Sequence, residues 1–268
     1  MKKLSRRLKK KHRLLLQRYD DKDLHQLRII LRRVRSRLKG LPGKKARSLH
    51  QDLGTLAKIT NAARDWDTLV RRAEKTLPAE QFVHLLPLLE QYQRAAHDRV
   101  TRLLKSREWA SAVERWQQYL DEDKREKFGT KDDSEQDLSL ILKRLDAVRR
   151  KALAHDDKRH WHKLRIAIKD LRYRLDETPR DARTRRTREI ITVCKELQED
   201  LGEWHDSVIH TQLLRELSDS LDPDQPLVVD ALEILRDIIA QRRREKLRRV
   251  KSTLQQTETL LDYRSLGA

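Results

Sequence analysis

Two stretches, HQLRIILRRVRSRL (His25–Leu38) and HKLRIAIKDLRYRL (His162–Leu175), restrict the folds open to this chain more than any other feature. On a helix each residue advances about 100°. Leu24, Leu27, Leu31, Val34 and Leu38 then share one side of the first stretch. Trp161, Leu164, Ile168, Leu171 and Leu175 share the equivalent side of the second. Apolar stripes of this width must be buried against other helices. Long stretches elsewhere are written in Leu, Arg, Lys, Glu, Gln and Ala, with only 6 Gly, 6 Pro and 2 Phe in 268 residues. These are the strong helix formers, so the expected fold class is all-α.

Turn signals divide the chain. Asp20-Asp21 precedes a helix starting near Lys22, and Gly40-Leu-Pro-Gly43 ends it. Further helices are expected over about Lys44–Thr60, Ala63–Leu77 and Pro78–Lys105, with a kink expected at Pro87. Charged Lys124–Ser134, which holds Gly129, reads as the linker. The second half repeats the order. Asp156-Asp157 precedes a helix at His160 that ends at Thr178-Pro179. Helices follow over about Arg183–Leu201, stopped by Gly202, and Glu203–Leu221, with a last one from near Pro226.

The similarity extends past the first motif. LAKITNAARDWDTL (Leu56–Leu69) aligns with LQEDLGEWHDSVIH (Leu197–His210), and Arg94–Arg102 aligns with Gln241–Arg249. An internal duplication is the reading, with residues 1–130 and 131–268 as its copies. Each copy would be a four-helix bundle preceded by a further helical segment, Leu4–Tyr19 or Leu138–Ala154. The expected architecture is therefore two pseudosymmetric bundles, whose equivalent helices can form one continuous basic channel or groove across a pseudo-twofold.

A second stripe adjoins each apolar one. Arg28, Arg32, Arg35 and Lys39 lie within about 80° of His25 around the helix, and Arg165, Lys169 and Arg172 within the same angle of His162. A basic stripe is usually a solvated face. This one keeps its sign in both copies and borders the core, where unpaired arginines lose hydration. Arg33, on another face, gives way to Asp170 in the second copy. Guanidinium forks suit phosphate oxygens, and histidine adds an N–H donor that an anion makes cationic. The balance of 62 basic against 43 acidic residues, +19 overall, also favours polyanionic partners.

Other classes find less support. Cys194, the single cysteine, sits beside Ile190, Ile191, Val193 and Leu197, as a core residue would. No run approaches the ~20 apolar residues of a membrane span, and the N-terminal leucines are too few for a signal peptide. A soluble cytoplasmic protein without membrane insertion is expected. Asp65 and Asp67, or His205 and Asp206, invite a metal or acid–base reading, but helix caps and arginine-orienting carboxylates explain them better. No phosphate-binding glycine loop, zinc spacing or nucleophile motif appears, so neither metal, cofactor nor catalytic residue is assigned. Trp66, Trp161 and Trp204 follow the apolar spacing and read as core. A general nucleic-acid or other polyanion-binding protein is the alternative reading, although aromatics are few, no recognition-module signature appears, and non-specific attachment at low salt is expected of any chain this basic.

The pattern H-x-L-R-x-x-x-(R/K)-x-(L/V)-R, present twice, with Arg64-Asp65-Trp66-Asp67 in the first half, resembles the CHAD domain, the conserved histidine α-helical domain. The resemblance covers nearly the whole chain. It implies a pair of pseudosymmetric four-helix bundles that bind inorganic polyphosphate through a basic surface and central pore between them, a binding or targeting module and not a catalyst, and a place at polyphosphate granules. By the motif, the ligand residues would be His25, Arg28, Arg32, Arg35, His162, Arg165, Lys169 and Arg172, joined by Lys39 from the stripe. Lys58, Arg64, Arg94, Arg99, Arg102, Lys195, His205, Arg243, Lys246 and Arg249 form a further tier, and Tyr173 is read as a packing residue. Thr60-Asn61 departs from the family's Leu-Gly, which Leu201-Gly202 retains. The Glu-x-Glu-x-Lys strand of a triphosphate-tunnel domain is absent, which points to a stand-alone binder.

Overall fold

The computed structural model describes residues 2–39, 43–122, 134–179, 181–221 and 224–261. Among them the chain forms ten helices and no strand: α1 (Lys2–Gln17), α2 (Asp21–Lys39), α3 (Lys44–Thr76), α4 (Ala79–Leu104), α5 (Arg107–Glu122), α6 (Ser134–His155), α7 (Lys158–Glu177), α8 (Arg185–Asp219), α9 (Pro226–Gln256) and α10 (Glu258–Leu261). Two compact units result. One comprises Met1–Gly129 with Ser220–Leu235, the other Thr130–Asp219 with Arg236–Ala268, so α9 contributes its two ends to different units.

In the first unit, α2 buries Leu24, Leu27, Ile30, Leu31, Val34 and Leu38, as its periodicity predicts. Each such side chain contributes about 1.5–3 kcal/mol relative to exposure. Asp20 starts the helix by accepting from the Asp23 N–H at 2.9 Å. Helix α1 packs on one flank of α2, where Arg7 meets Gln26 and Lys11 pairs with Asp23. Helix α3 takes the other flank. Its Asp67 is buried and accepts from Tyr19 Oη (2.9 Å) and Gln93 Nε2 (2.9 Å), with His97 Nε2 at 2.6 Å. Tyr19 also stacks on His97, 3.6 Å between ring centroids. Burial, followed by the Asp67 charge, pushes the Tyr19 hydroxyl far up and keeps it a donor. One carboxylate thus joins α3 to α4 and to the turn before α2.

The second unit follows the same logic with other residues. Asp157 caps α7, accepting from the His160 N–H at 2.9 Å. Leu164, Ile168, Leu171 and Leu175 pack with Ile190, Cys194, Leu197, Leu201 and Trp204 of α8 and Val250 and Leu254 of α9. Burial pushes the Cys194 thiol up to about 12, consistent with a small core residue. Trp161, Trp204 and, in the first unit, Trp66 are all buried, as expected. Asp200 is buried beside Lys246 Nζ (2.8 Å) and Arg249 Nε (3.2 Å), which pins α9 to α8.

Three expectations about elements need correction. The helices expected at Lys44–Thr60 and Ala63–Leu77 are one, α3, and those expected at Arg183–Leu201 and Glu203–Leu221 are one, α8. Neither Asn61 nor Gly202 stops its helix. The buried series Leu197, Leu201, Trp204 and Val208 stays in register through Gly202. That burial outweighs the roughly 1 kcal/mol of helix propensity a mid-helix glycine forfeits. Helix α5 was not expected, although Trp109, Ala112, Trp116 and Leu120 give it a buried stripe at helical spacing. The expected linker lies outside the described residues except for Ser134, which begins α6.

Candidate functional site

In the first unit the basic stripe of α2 lies along α3. Arg28 is half-buried, and its Nη1 donates to Thr60 Oγ1 (3.2 Å) and Asn61 Oδ1 (2.6 Å), both neutral oxygens. Thr60 stays buried because its hydroxyl also bonds the Ala57 carbonyl at 2.8 Å. Burial first, and Arg64 second, push the Arg28 guanidinium downward, with Asp65 opposing. Arg64 is itself oriented by Asp65, Nη1 to Oδ1 3.1 Å. His25 is held below the usual histidine range by burial and then by Arg28, Arg64, Arg32 and Arg71. The charges of Arg28, Arg64, Arg32 and Arg71 thus all act on one imidazole, which is exposed on α2. Arg71 was not foreseen here; it pairs with Asp21 at 3.6 Å.

Farther along α2, Arg35 lies against the backbone of α3 at Gly54. Burial, and then the charges of Arg35 and Lys39, lower the imidazole pKa of His50 on α3. His50 was absent from the sequence expectation because Ile191 stands at the corresponding place in α8, and matching the two halves could not find it.

The second unit repeats the stripe on α7. His162 stands 5.2 Å from His205 of α8, centroid to centroid, and is lowered by burial and then by Arg165 and Lys158. Arg172 Nε lies 3.8 Å from Asp176. Tyr173 is corrected from a packing residue to a surface one. It is 39% exposed, with the Arg172 Cζ 5.0 Å and the Lys169 Nζ 5.7 Å from its ring centroid.

The further tier divides. Arg64 and His205 join the stripes of their own units. Lys58 and Lys195 are exposed on α3 and α8, and Arg243 is half-exposed on α9. Arg94 sits 3.6 Å from Glu90, while Arg99 and Arg102 are exposed on the side of α4 away from His97. Lys246 is committed to the buried Asp200, and Arg249 shares that carboxylate. Asp67, read as a cap, is instead the centre of a buried network within α3. Asp206 likewise lies inside α8 rather than at a helix start. Among the described residues, no three His, Cys, Asp or Glu side chains converge as a metal site would require, and no helix is long and apolar enough to cross a membrane.

A helical protein whose two units each carry a histidine–arginine stripe beside a long helix defines a class of basic all-α domains. The particular family follows from comparison. Residues 1–215 match the CHAD domain, and the chain belongs to that family. Its fold is similar to the crystal structure of the CHAD domain from the plant Ricinus communis, at 24% identity and a TM-score of 0.72, covering 94% of this chain and 88% of that one. No curated protein matches the sequence significantly.

Proposed function

We propose that this CHAD protein binds inorganic polyphosphate along the α2 and α7 stripes, as a binding or targeting module without catalytic activity. The observation that carries the reading is Arg28. Its guanidinium is half-buried beside Arg64 and hydrogen-bonded to neutral Thr60 and Asn61, while the nearby carboxylate of Asp65 is already paired with Arg64, so the two arginines share one opposing charge in the free protein. An arriving phosphate oxygen supplies the missing negative charge and accepts from the remaining N–H groups. Arg32, Arg35 and Lys39 extend the row at helical spacing, which suits a ligand with regularly repeated charges. Arg165, Lys169 and Arg172 offer the same row in the second unit.

A thin flexible chain approaches such a row more closely than a duplex, whose phosphates are spread over a wide cylinder. Competition among long polyphosphate, tripolyphosphate, DNA and RNA at about 0.15 M salt tests this, because general electrostatic attachment weakens steeply there. Long polyphosphate should displace the others per phosphate. Equal displacement by duplex DNA contradicts the reading. Incubation of polyphosphate with protein and magnesium or manganese should leave the chain length unchanged. Shortening that an Asp65→Ala or Asp206→Ala variant abolishes would make the protein a hydrolase.

A further inference from the structure

Helix α3 carries a glycine in its middle, at Gly54, although glycine is the poorest interior helix residue after proline. Neither its backbone nor a turn requires it: the helix runs unbroken from Lys44 to Thr76, and Gly54 is not among the positive-φ residues. What stands against it is Arg35. A methyl group built on Gly54 would lie 3.1 Å from Arg35 Nη2 and 3.3 Å from both Cζ and Nε. The three distances are nearly equal, so the guanidinium plane lies flat over the glycine. Its Nε faces inward, buried and without a hydrogen-bond partner. That inward placement costs one donor its bond, which a free surface arginine would not accept.

We infer that Gly54 is a positioning residue for anion binding: it seats Arg35 flat on α3, so that Arg35 is a preorganised member of the α2 row. The inference rests on the reading of that row as a polyphosphate site. It also makes the units unequal. Extending the alignment of Leu56 with Leu197 places Lys195 where Gly54 stands, so α8 has no equivalent seat for Arg172. Arg172 Nε is likewise buried without a hydrogen-bond partner, and its Cζ meets the Tyr173 ring across 5.0 Å. The two rows therefore differ in what lies beneath the fork, a glycine under Arg35 and no glycine under Arg172.

Preorganisation lowers the ordering cost of binding, so losing the seat should weaken affinity even where folding improves. Gly54→Ala separates the two. Alanine is the better helix former, and the clash falls on the far end of a flexible side chain. The melting temperature should therefore hold or rise by about 2 °C, while affinity for long polyphosphate falls about 5- to 10-fold. Gly54→Lys sharpens the sign. It adds a positive charge, which favours any polyanion through the general field, yet it should also bind less tightly than the native protein. In an Arg35→Ala background, Gly54→Ala should have no further effect on affinity. Native affinity in both glycine variants overturns the inference, as does an equal loss with and without Arg35. If Arg28→Gln/Arg32→Gln lowers affinity while Gly54→Ala and Gly54→Lys do not, only the role of Gly54 falls. If the native protein binds no polyphosphate, the reading of the row falls with it.

Discussion

His162 and His205 face each other from adjacent helices α7 and α8, 5.2 Å between ring centroids and tilted by 40°. Burial and the neighbouring Arg165 and Lys158 hold His162 below the usual histidine value of 6.5, and His25 and His50 are lowered for similar reasons in the other unit. These histidines are neutral in the free protein at pH 7. A bound polyanion favours their charged forms and raises their pKa values, so binding takes up protons. Affinity for polyphosphate should rise on acidification from pH 8 toward pH 6, and His25→Gln/His162→Gln should flatten that dependence. Titration calorimetry in buffers of different ionisation enthalpy counts the protons directly. A pH-independent affinity would contradict the arrangement.

The same depressed values fix a sign for stability. The unfolded chain binds protons more readily than these folded imidazoles, so their contribution is present above 6.5 and is lost as pH falls toward the folded-state values. Free protein should melt at lower temperature at pH 5.5 than at pH 7.5. Polyphosphate should protect it more at the lower pH, which thermal melts with and without ligand will read.

Lys246 and Arg249 appear beside the stripe arginines in the sequence as further cations, yet Lys246 is buried against Asp200. Lys246→Met leaves Asp200 with Arg249 alone and should destabilise the second unit by about 3 kcal/mol. Asp200→Leu added to it should restore most of that loss. Denaturant unfolding of the single and double variants checks this. An unchanged stability in Lys246→Met would return the lysine to the surface.

Tyr173 provides a ring for Lys169 and Arg172. Tyr173→Ala should change stability little, because the side chain is exposed, and should weaken polyphosphate binding by about 2- to 5-fold through loss of cation–π support worth about 0.5–1 kcal/mol. Tyr173→Phe should bind as the native protein does. A loss in both variants would assign the effect to the hydroxyl instead.

The periodic signals proved the most legible. The apolar sides of α2 and α7 and the cap at Asp157 could be read because each depends on residues a few places apart. What escaped depends on distant partners. Asn61 reads as a helix stop until Arg28, on another helix, takes its side-chain oxygen. Lys246 reads as a surface cation until Asp200 is placed beside it. His50 belongs to one copy only, so repetition, which exposed His25 and His162 together, was blind to it. Helix α5 escaped for the same reason, since the expected second half offered no counterpart.

If polyphosphate recognises a shaped row on α2, and not the net charge of +19, position matters more than the number of charges removed. The most direct test compares dissociation constants for two variants with equal loss of charge: Arg28→Gln/Arg32→Gln/Arg35→Gln on the row, and Arg6→Gln/Lys10→Gln/Arg13→Gln on the exposed side of α1. Both should fold, as circular dichroism will show. The row variant should lose at least about 100-fold in affinity, because charge-assisted hydrogen bonds contribute roughly 1.5–3 kcal/mol each. The α1 variant should lose less than about 5-fold, through the screened long-range field alone. Equal losses in the two variants would contradict the account.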